Sequence, residues 1–327
     1  MIKIKENVIL AGFSNYKIGG RARYFFQAKT PDELKEALRW AKSKKQKVFI
    51  LGGGTNLLFS DHGYAGLVLK IDIRYLKAKG TQIEAGAGVS MASLIQFSLK
   101  NKLSGLEWAG GLPGTLGGAI RGNAGAFKGE TKDSIESVKS LNVKTLKVFN
   151  RKNKNCGFDY RSSLFKKNDG GEIVIAATLK LKKGNAKEIR AKIQDKINFR
   201  KDRHPLEYPN SGSVFKNIPL TQIFKKNTLE YAEAVRQSNF NFRGSVVPVK
   251  NDPFPVVPSA FLISEAGLKG KKSGGAMISP KHPNFIINAN NAKAKDILAL
   301  IKLVKSTLKR KFGLSVEEEV QIVTYSD

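Results

Sequence analysis

The chain has 327 residues, 41% hydrophobic and 9% aromatic, enough to bury the cores of two or three domains and too much for a disordered chain. It carries 57 basic against 27 acidic residues, a formal charge of +30, and one cysteine, Cys156. A lone cysteine excludes an intramolecular disulfide and favours a reducing compartment. No apolar run is long enough to span a bilayer, and residues 1–20 lack the sections of a signal peptide. A cytoplasmic protein without a membrane partner is therefore expected. A field of +30 attracts polyanions, but the lysines are scattered and neither a zinc-finger spacing nor an RRM signature is present. No specific nucleic-acid partner and no metal site are expected; the same field draws in small anions.

Thr30, Pro31 and Glu33 form a capping box with proline at the first helical position, and Leu34, Ala37, Leu38 and Ala41 then share one helical face. The apolar segment 48–51 reads as a buried strand ending at Gly52-Gly53-Gly54. Short β-rich pieces follow at 66–73 and 82–89. A helix starts after Ser90 with Leu94, Ile95 and Leu99 inward. Residues 105–130 are rich in glycine and poor in charge. Strands return over 135–182, notably at 172–181. A helix with Ile189, Ile193 and Ile197 on one side leads to Arg200-Lys201-Asp202-Arg203-His204, a cluster that marks the boundary of a later domain. Residues 218–257 carry little pattern and read as an insertion or an elaborated loop. A helix near 292–311 buries Ile297, Leu300, Ile301, Val304 and Leu308 and stops at Gly313, before a final strand at 319–324.

Two stretches suggest chemistry. In LGGGTNLLFSD (51–61) three glycines permit positive φ and close approach of backbone N–H groups to a pyrophosphate. The spacing is that of neither a Rossmann G-x-G-x-x-G nor a Walker loop, and an ordinary turn explains this stretch equally well alone. The second stretch, 105–130, places Gly117-Gly118, Asn123 and Gly125 in an almost uncharged run, which suits a backbone wrapped around a large flat ligand.

Eight ordered stretches carry a resemblance: NYKIGG (15–20), LGGGTNLLFSD (51–61), LPGTLGGAIRGNAGA (112–126), FDYRSSLFK (158–166), YPNSGSVFKN (208–217), SEAGLKG (264–270), KHPNFIIN (281–288) and VEEEVQIV (316–323). Together they resemble the UDP-N-acetylenolpyruvoylglucosamine reductase (MurB) family over nearly the whole chain. The absence of a long insertion between Arg161 and Arg203 resembles its shorter subclass. The resemblance implies an α+β architecture: a PCMH-type FAD-binding fold of two subdomains (1–70 and 71–199) and a C-terminal α+β substrate-binding domain (200–315), with strand 316–327 returning to the first. It also implies NADPH as hydride donor and the UDP-sugar enolpyruvate as substrate. FAD is expected between the subdomains, held by Gly52, Gly53, Gly54, Thr55, Asn56 and Leu57 and by Pro113, Gly114, Thr115, Gly117, Gly118, Asn123, Ala124 and Gly125. The Gly52 turn has no His or Cys, so a noncovalent cofactor is expected.

By the same resemblance Arg161 matches the arginine that stabilises negative charge on the substrate, Ser213 the serine that protonates C2, and Glu319 the glutamate that assists enol stabilisation. Tyr160, Arg203 and Asn217 match substrate contacts. Taken alone, Ser213 is a turn serine, Arg161 a surface arginine and Glu319 one of three glutamates at a strand start. His62, His204 and His282 titrate near neutrality, but the family pattern gives none of them a catalytic role. Cys156 reads as a small core residue. Departures from the pattern are Gln321, where arginine is common, Arg121-Gly122, where methionine is common, and Ser315 and Glu318 before the glutamate.

Overall fold

The computed structural model describes residues 2–168 and 171–326. A four-stranded sheet runs in the order Lys5–Ile9, Arg21–Ala28, Tyr64–Ile71, Val48–Leu51. The first pair is antiparallel and the other two are parallel, so the chain needs a crossover, which the helix Pro31–Ser43 supplies. Leu34, Ala37, Leu38 and Ala41 are its buried residues, as the spacing requires. The expected capping box forms by half. Thr30 Oγ1 accepts from the Glu33 N–H at 3.1 Å, but the Glu33 carboxylate accepts from Lys29, one residue too early for the reciprocal bond.

A five-stranded antiparallel sheet follows, ordered Val148–Lys152, Ile135–Asn142, Glu172–Lys180, Gln82–Gly86, Leu76–Lys79. Its middle strand, Glu172–Lys180, is buried along nearly its whole length, the mark of a strand covered on both faces. The crossover helix and this sheet share one hydrophobic cluster. The helix Met91–Lys100 packs there through Leu94, Ile95 and Leu99.

The helix Ala186–Arg203 buries Ile189 and Ile193, with Ile197 half-buried. It includes most of the basic cluster, so the expected division at 199/200 falls within a helix. We draw the last domain from His204, where helical geometry ends. That domain has its own core, around the helix Ala294–Phe312 and the strands Ala276–Ile278 and Ile286–Asn288, and Tyr16, Ile18 and Leu58 reach into it from the first unit. The long helix ends at Gly313 with φ +70, a left-handed cap.

Residues 218–257 are ordered elements: a helix Leu229–Gln237, a hairpin of Asn239–Phe242 and Ser245–Pro248, and a short strand Lys250–Asn251 paired with Pro255–Val257. They are too short to print a periodic pattern; the helix buries only Ala234. The strand Gln321–Val323 pairs parallel with Leu57–Phe59 and ties the C-terminal end to the first glycine turn. Among the described residues no helix is long and apolar enough to cross a membrane.

Candidate active site

The two glycine stretches, some sixty residues apart in the chain, meet face to face. A Cβ on Gly53 would lie 2.8 Å from the Gly114 Cα, and a Cβ on Gly114 would lie 2.9 Å from Thr55 Oγ1. Gly114 adopts φ +109, which an L side chain rarely takes. Bare backbone therefore faces bare backbone along one wall of a cavity of about 1300 Å³, larger than the roughly 300–1,000 Å³ typical of drug-sized ligands. The wall includes Gly52, Gly53, Gly54, Thr55, Asn56, Leu57, Pro113, Gly114, Thr115, Gly117, Gly118, Ala124 and Gly125. Asn123 does not line it. It caps the helix Leu116–Gly122 in left-handed geometry, fully buried, donating to Asp159 O at 3.0 Å and accepting from the Lys132 N–H at 3.0 Å. Its amide thus braces the turn that carries Arg161.

Arg161, Ser213 and Glu319 line the same cavity. Arg161 Nε lies 2.9 Å from Glu319 Oε1, and its Nη2 donates to Gly125 O at 2.8 Å. Glu319 is held at three points: its N–H donates to Val214 O at 2.7 Å, its carbonyl accepts from Asn56 Nδ2 at 2.9 Å, and its carboxylate meets Arg161. Ser213 precedes the residue that accepts the Glu319 N–H. Asn284, from the KHPNFIIN stretch, fixes the next one by accepting from the Phe215 N–H at 3.0 Å and donating to Phe215 O at 2.8 Å. Six of the eight stretches converge here, through Asn56, Gly125, Arg161, Val214, Asn284 and Glu319.

The other expected substrate residues sit differently. Tyr160 stands under Arg161, the guanidinium carbon 5.1 Å from its ring centroid, and its ring meets Phe254 edge-on at 5.0 Å. Burial raises its pKa, and its hydroxyl is hydrogen-bonded to the Asn217 backbone. The Asn217 Oδ1 accepts from the Ser259 N–H at 3.2 Å. Arg203 is exposed, stacked 5.0 Å from the Phe199 ring. None of these three lines the cavity; they support or flank it.

Residues without a sequence-based role do line it. Arg200, one helical turn before Arg203, donates from Nε to Gly110 O at 2.9 Å and lies 5.3 Å from the Phe127 ring. His204 also faces the cavity, packed against Phe285 and His282; burial is the main cause that pushes both imidazole pKa values down to about 4. Lys250 and Asp252, from the segment without sequence pattern, form part of the lining, and Asp252 Oδ1 accepts from the Lys128 N–H at 3.2 Å. Arg121 Nη1 donates to Gln321 Oε1 at 3.3 Å, so two of the departures from the family pattern face each other. Cys156 is buried, its thiol pushed up to about 11 chiefly by burial.

Comparison with known proteins shows the family. A family described as UDP-N-acetylenolpyruvoylglucosamine reductase, C-terminal domain, matches residues 204–323, and one described as FAD binding domain matches residues 22–145. The chain is 35% identical to the UDP-N-acetylenolpyruvoylglucosamine reductase of Caldanaerobacter subterraneus subsp. tengcongensis, over 98% of this chain and 94% of that one. It is 36% identical to the enzyme of the same name from Lachnoclostridium phytofermentans, over 98% and 93%. The crystal structure of UDP-N-acetylenolpyruvylglucosamine reductase (MurB) from Thermus caldophilus superposes with a TM-score of 0.76 at 28% identity, covering 99% of this chain and all of that one. With the glycine turns, the paired Arg161 and Glu319 and the neighbouring Ser213 gathered on one cavity, and with relatives matched end to end, the chain belongs to the UDP-N-acetylenolpyruvoylglucosamine reductase family.

Proposed function

We propose that the chain reduces UDP-N-acetylglucosamine enolpyruvate to UDP-N-acetylmuramate for peptidoglycan precursor synthesis, with FAD held noncovalently and NADPH as hydride donor. The observation that carries this reading is the convergence of Arg161, Glu319 and Ser213 on the cavity walled by both glycine turns. The wall fits FAD: where Gly53 meets Gly114 there is no room for a side chain, and main chain bare of side chains lets a pyrophosphate approach closely. Bound FAD supplies a two-electron carrier between NADPH and the enolpyruvyl double bond.

The chain's own residues account for the rest. Hydride addition at C3 of the enolpyruvyl group builds negative charge on C2 and the adjoining carboxylate. A preorganised guanidinium stabilises such charge far better in a recessed site than in water. Arg161 provides it, held by Glu319 on one side and by Gly125 O on the other. Glu319 keeps the guanidinium aimed and limits the excess positive charge while the cavity is empty of substrate. The Ser213 hydroxyl donates the proton to C2, so that a hydride and a proton add across the double bond and the product carries two more hydrogens than the substrate. A cytoplasmic setting accords with nucleotide substrates and a single buried cysteine.

The test is anaerobic. NADPH should bleach the flavin absorbance, and the enolpyruvyl UDP-sugar should restore it. Bleaching by NADPH without recovery on adding the sugar would overturn the substrate assignment.

A further inference from the structure

Lys166 ends the stretch that carries Arg161. It is half-buried, it lines the cavity, and its Nζ donates to Arg161 O at 2.9 Å. Arg161 stands at φ +52, a left-handed conformation that a non-glycine residue adopts only against a steric cost. Asp159 and Ser162 exchange both main-chain hydrogen bonds across that turn, at 3.0 and 3.1 Å. The Arg161 carbonyl projects outside this pair, and the ammonium of Lys166 takes it.

The charges around Lys166 are unbalanced. Its charged neighbours are Lys216, Arg121 and Arg161 against Glu319 and, more weakly, Glu317, three cations to two carboxylates. Lys216 pairs with Glu317 at 2.8 Å and Arg161 with Glu319 at 2.9 Å. Among the described residues no carboxylate forms an ion pair with Lys166. Burial, the largest cause, lowers its pKa, and the neighbouring cations lower it further against the opposing pull of Glu319. A half-buried ammonium kept beside other cations costs free energy unless an anion arrives to offset it.

We propose that Lys166 is a positioning residue for Arg161 and the second fixed positive charge where negative charge builds on the substrate. This deepens the functional reading above and rests on it. Lys166 restrains the strained turn from behind while Glu319 and Gly125 restrain the guanidinium from the side. Its charge adds to the field that a carboxylate turning into an enolate meets.

The test uses the FAD-loaded enzyme with Lys166→Met and Lys166→Arg. Flavin content and reduction by NADPH should match the parent, while Lys166→Met slows reoxidation by the enolpyruvyl sugar by about 10- to 100-fold, the scale of a small misplacement of a reacting group. In the parent, reoxidation should fall on the alkaline side as the ammonium loses its proton. Lys166→Arg, which stays charged, should move that fall to higher pH, and Lys166→Met should lack it. Equal slowing of both half-reactions with an unchanged alkaline limb would show a merely structural lysine and overturn the proposal. A second measurement does not need turnover: oxalate, a dianion resembling the enolate and its carboxylate, titrated by thermal shift. Lys166→Met should bind it at least about tenfold more weakly, the low end for one charged contact. Equal affinity, or no binding by the parent, overturns the proposal. A parent enzyme that binds oxalate but is never reoxidised by the sugar overturns the substrate reading and leaves the Lys166 proposal to be judged on oxalate alone.

Discussion

Arg161 and Glu319 come from segments more than 150 residues apart and meet at 2.9 Å, with 20% and 23% of their side chains exposed. At that burial the pair is screened less than a surface ion pair and its geometry is better defined. Glu319→Gln keeps a hydrogen-bond acceptor but removes the charge; reoxidation by the enolpyruvyl sugar should slow by about 10- to 100-fold, as for loss of an orienting partner. Arg161→Lys loses the planar fork that serves Glu319 and Gly125 together and should cost about 10²–10³, the scale of one lost charge-stabilising donor. Because both changes act on one guanidinium, the double variant should be little worse than Arg161→Lys. Stopped-flow reoxidation of all four proteins measures this, and additive losses would show that the two residues act separately.

Local chemistry made much of this legible in the sequence. Helical spacing gave Leu34, Ala37, Leu38 and Ala41 their buried face, and Gly313 its place as a helix stop. The glycine stretches announced backbone that something must approach, but not that Gly53 and Gly114 face each other. That pairing is a long-range contact with no periodic signature. The motif residues around Arg161 could be named, yet Lys166 and Arg200 could not be given work. A lysine that holds a carbonyl and an arginine at a helix end look like any other in so basic a chain. The elements in 218–257 were hidden because each buries at most two side chains. Asn123 was legible as important but not in its role. Its amide is consumed by Asp159 and Lys132, a use that depends wholly on the turn beside it.

Gly53→Ala should weaken the hold on the cofactor. The new methyl would meet the Gly114 backbone at 2.8 Å, where no flexible side chain can yield. Displacing that backbone costs about 1–3 kcal/mol of strain, enough to weaken FAD by roughly fivefold to more than a hundredfold. Gly12→Ala, with nothing within 4 Å of its Cβ, serves as the control. The flavin-to-protein ratio after gel filtration is the measurement. Equal ratios in the two variants would mean that the glycine contact does not shape the cofactor site.

His204 and His282 should make the protein sensitive to mild acid. Both imidazoles are pushed down to about 4 when folded, mainly by burial, against an ordinary value near 6.5. As pH falls below about 6.5 the unfolded chain takes up protons that the folded chain refuses until about 4, so stability is lost across that window. The melting temperature should therefore drop between pH 7 and pH 5. A His204→Phe, His282→Phe double variant, which keeps the aromatic packing with Phe285, should show a shallower drop. An unchanged slope would place the acid sensitivity in other groups.

Ser213 separates the two half-reactions. Its hydroxyl is proposed to act only once hydride has reached the substrate, so it should contribute nothing to flavin reduction by NADPH. The main chain that follows it is clamped by Glu319 and Asn284, so Ser213→Ala removes the proton donor without loosening the segment. Loss of a general acid typically costs on the order of 10²–10⁴ in rate. Reoxidation should slow by at least about a hundredfold, the low end of that range, with flavin content and reduction rate near those of the parent. Water can protonate the enolate slowly, which leaves a residual rate. Stopped-flow absorbance, run on each half-reaction separately, decides the matter. Equal slowing of both halves would make Ser213 structural, and no slowing of either would place the acid elsewhere, with Glu319 the next residue to test.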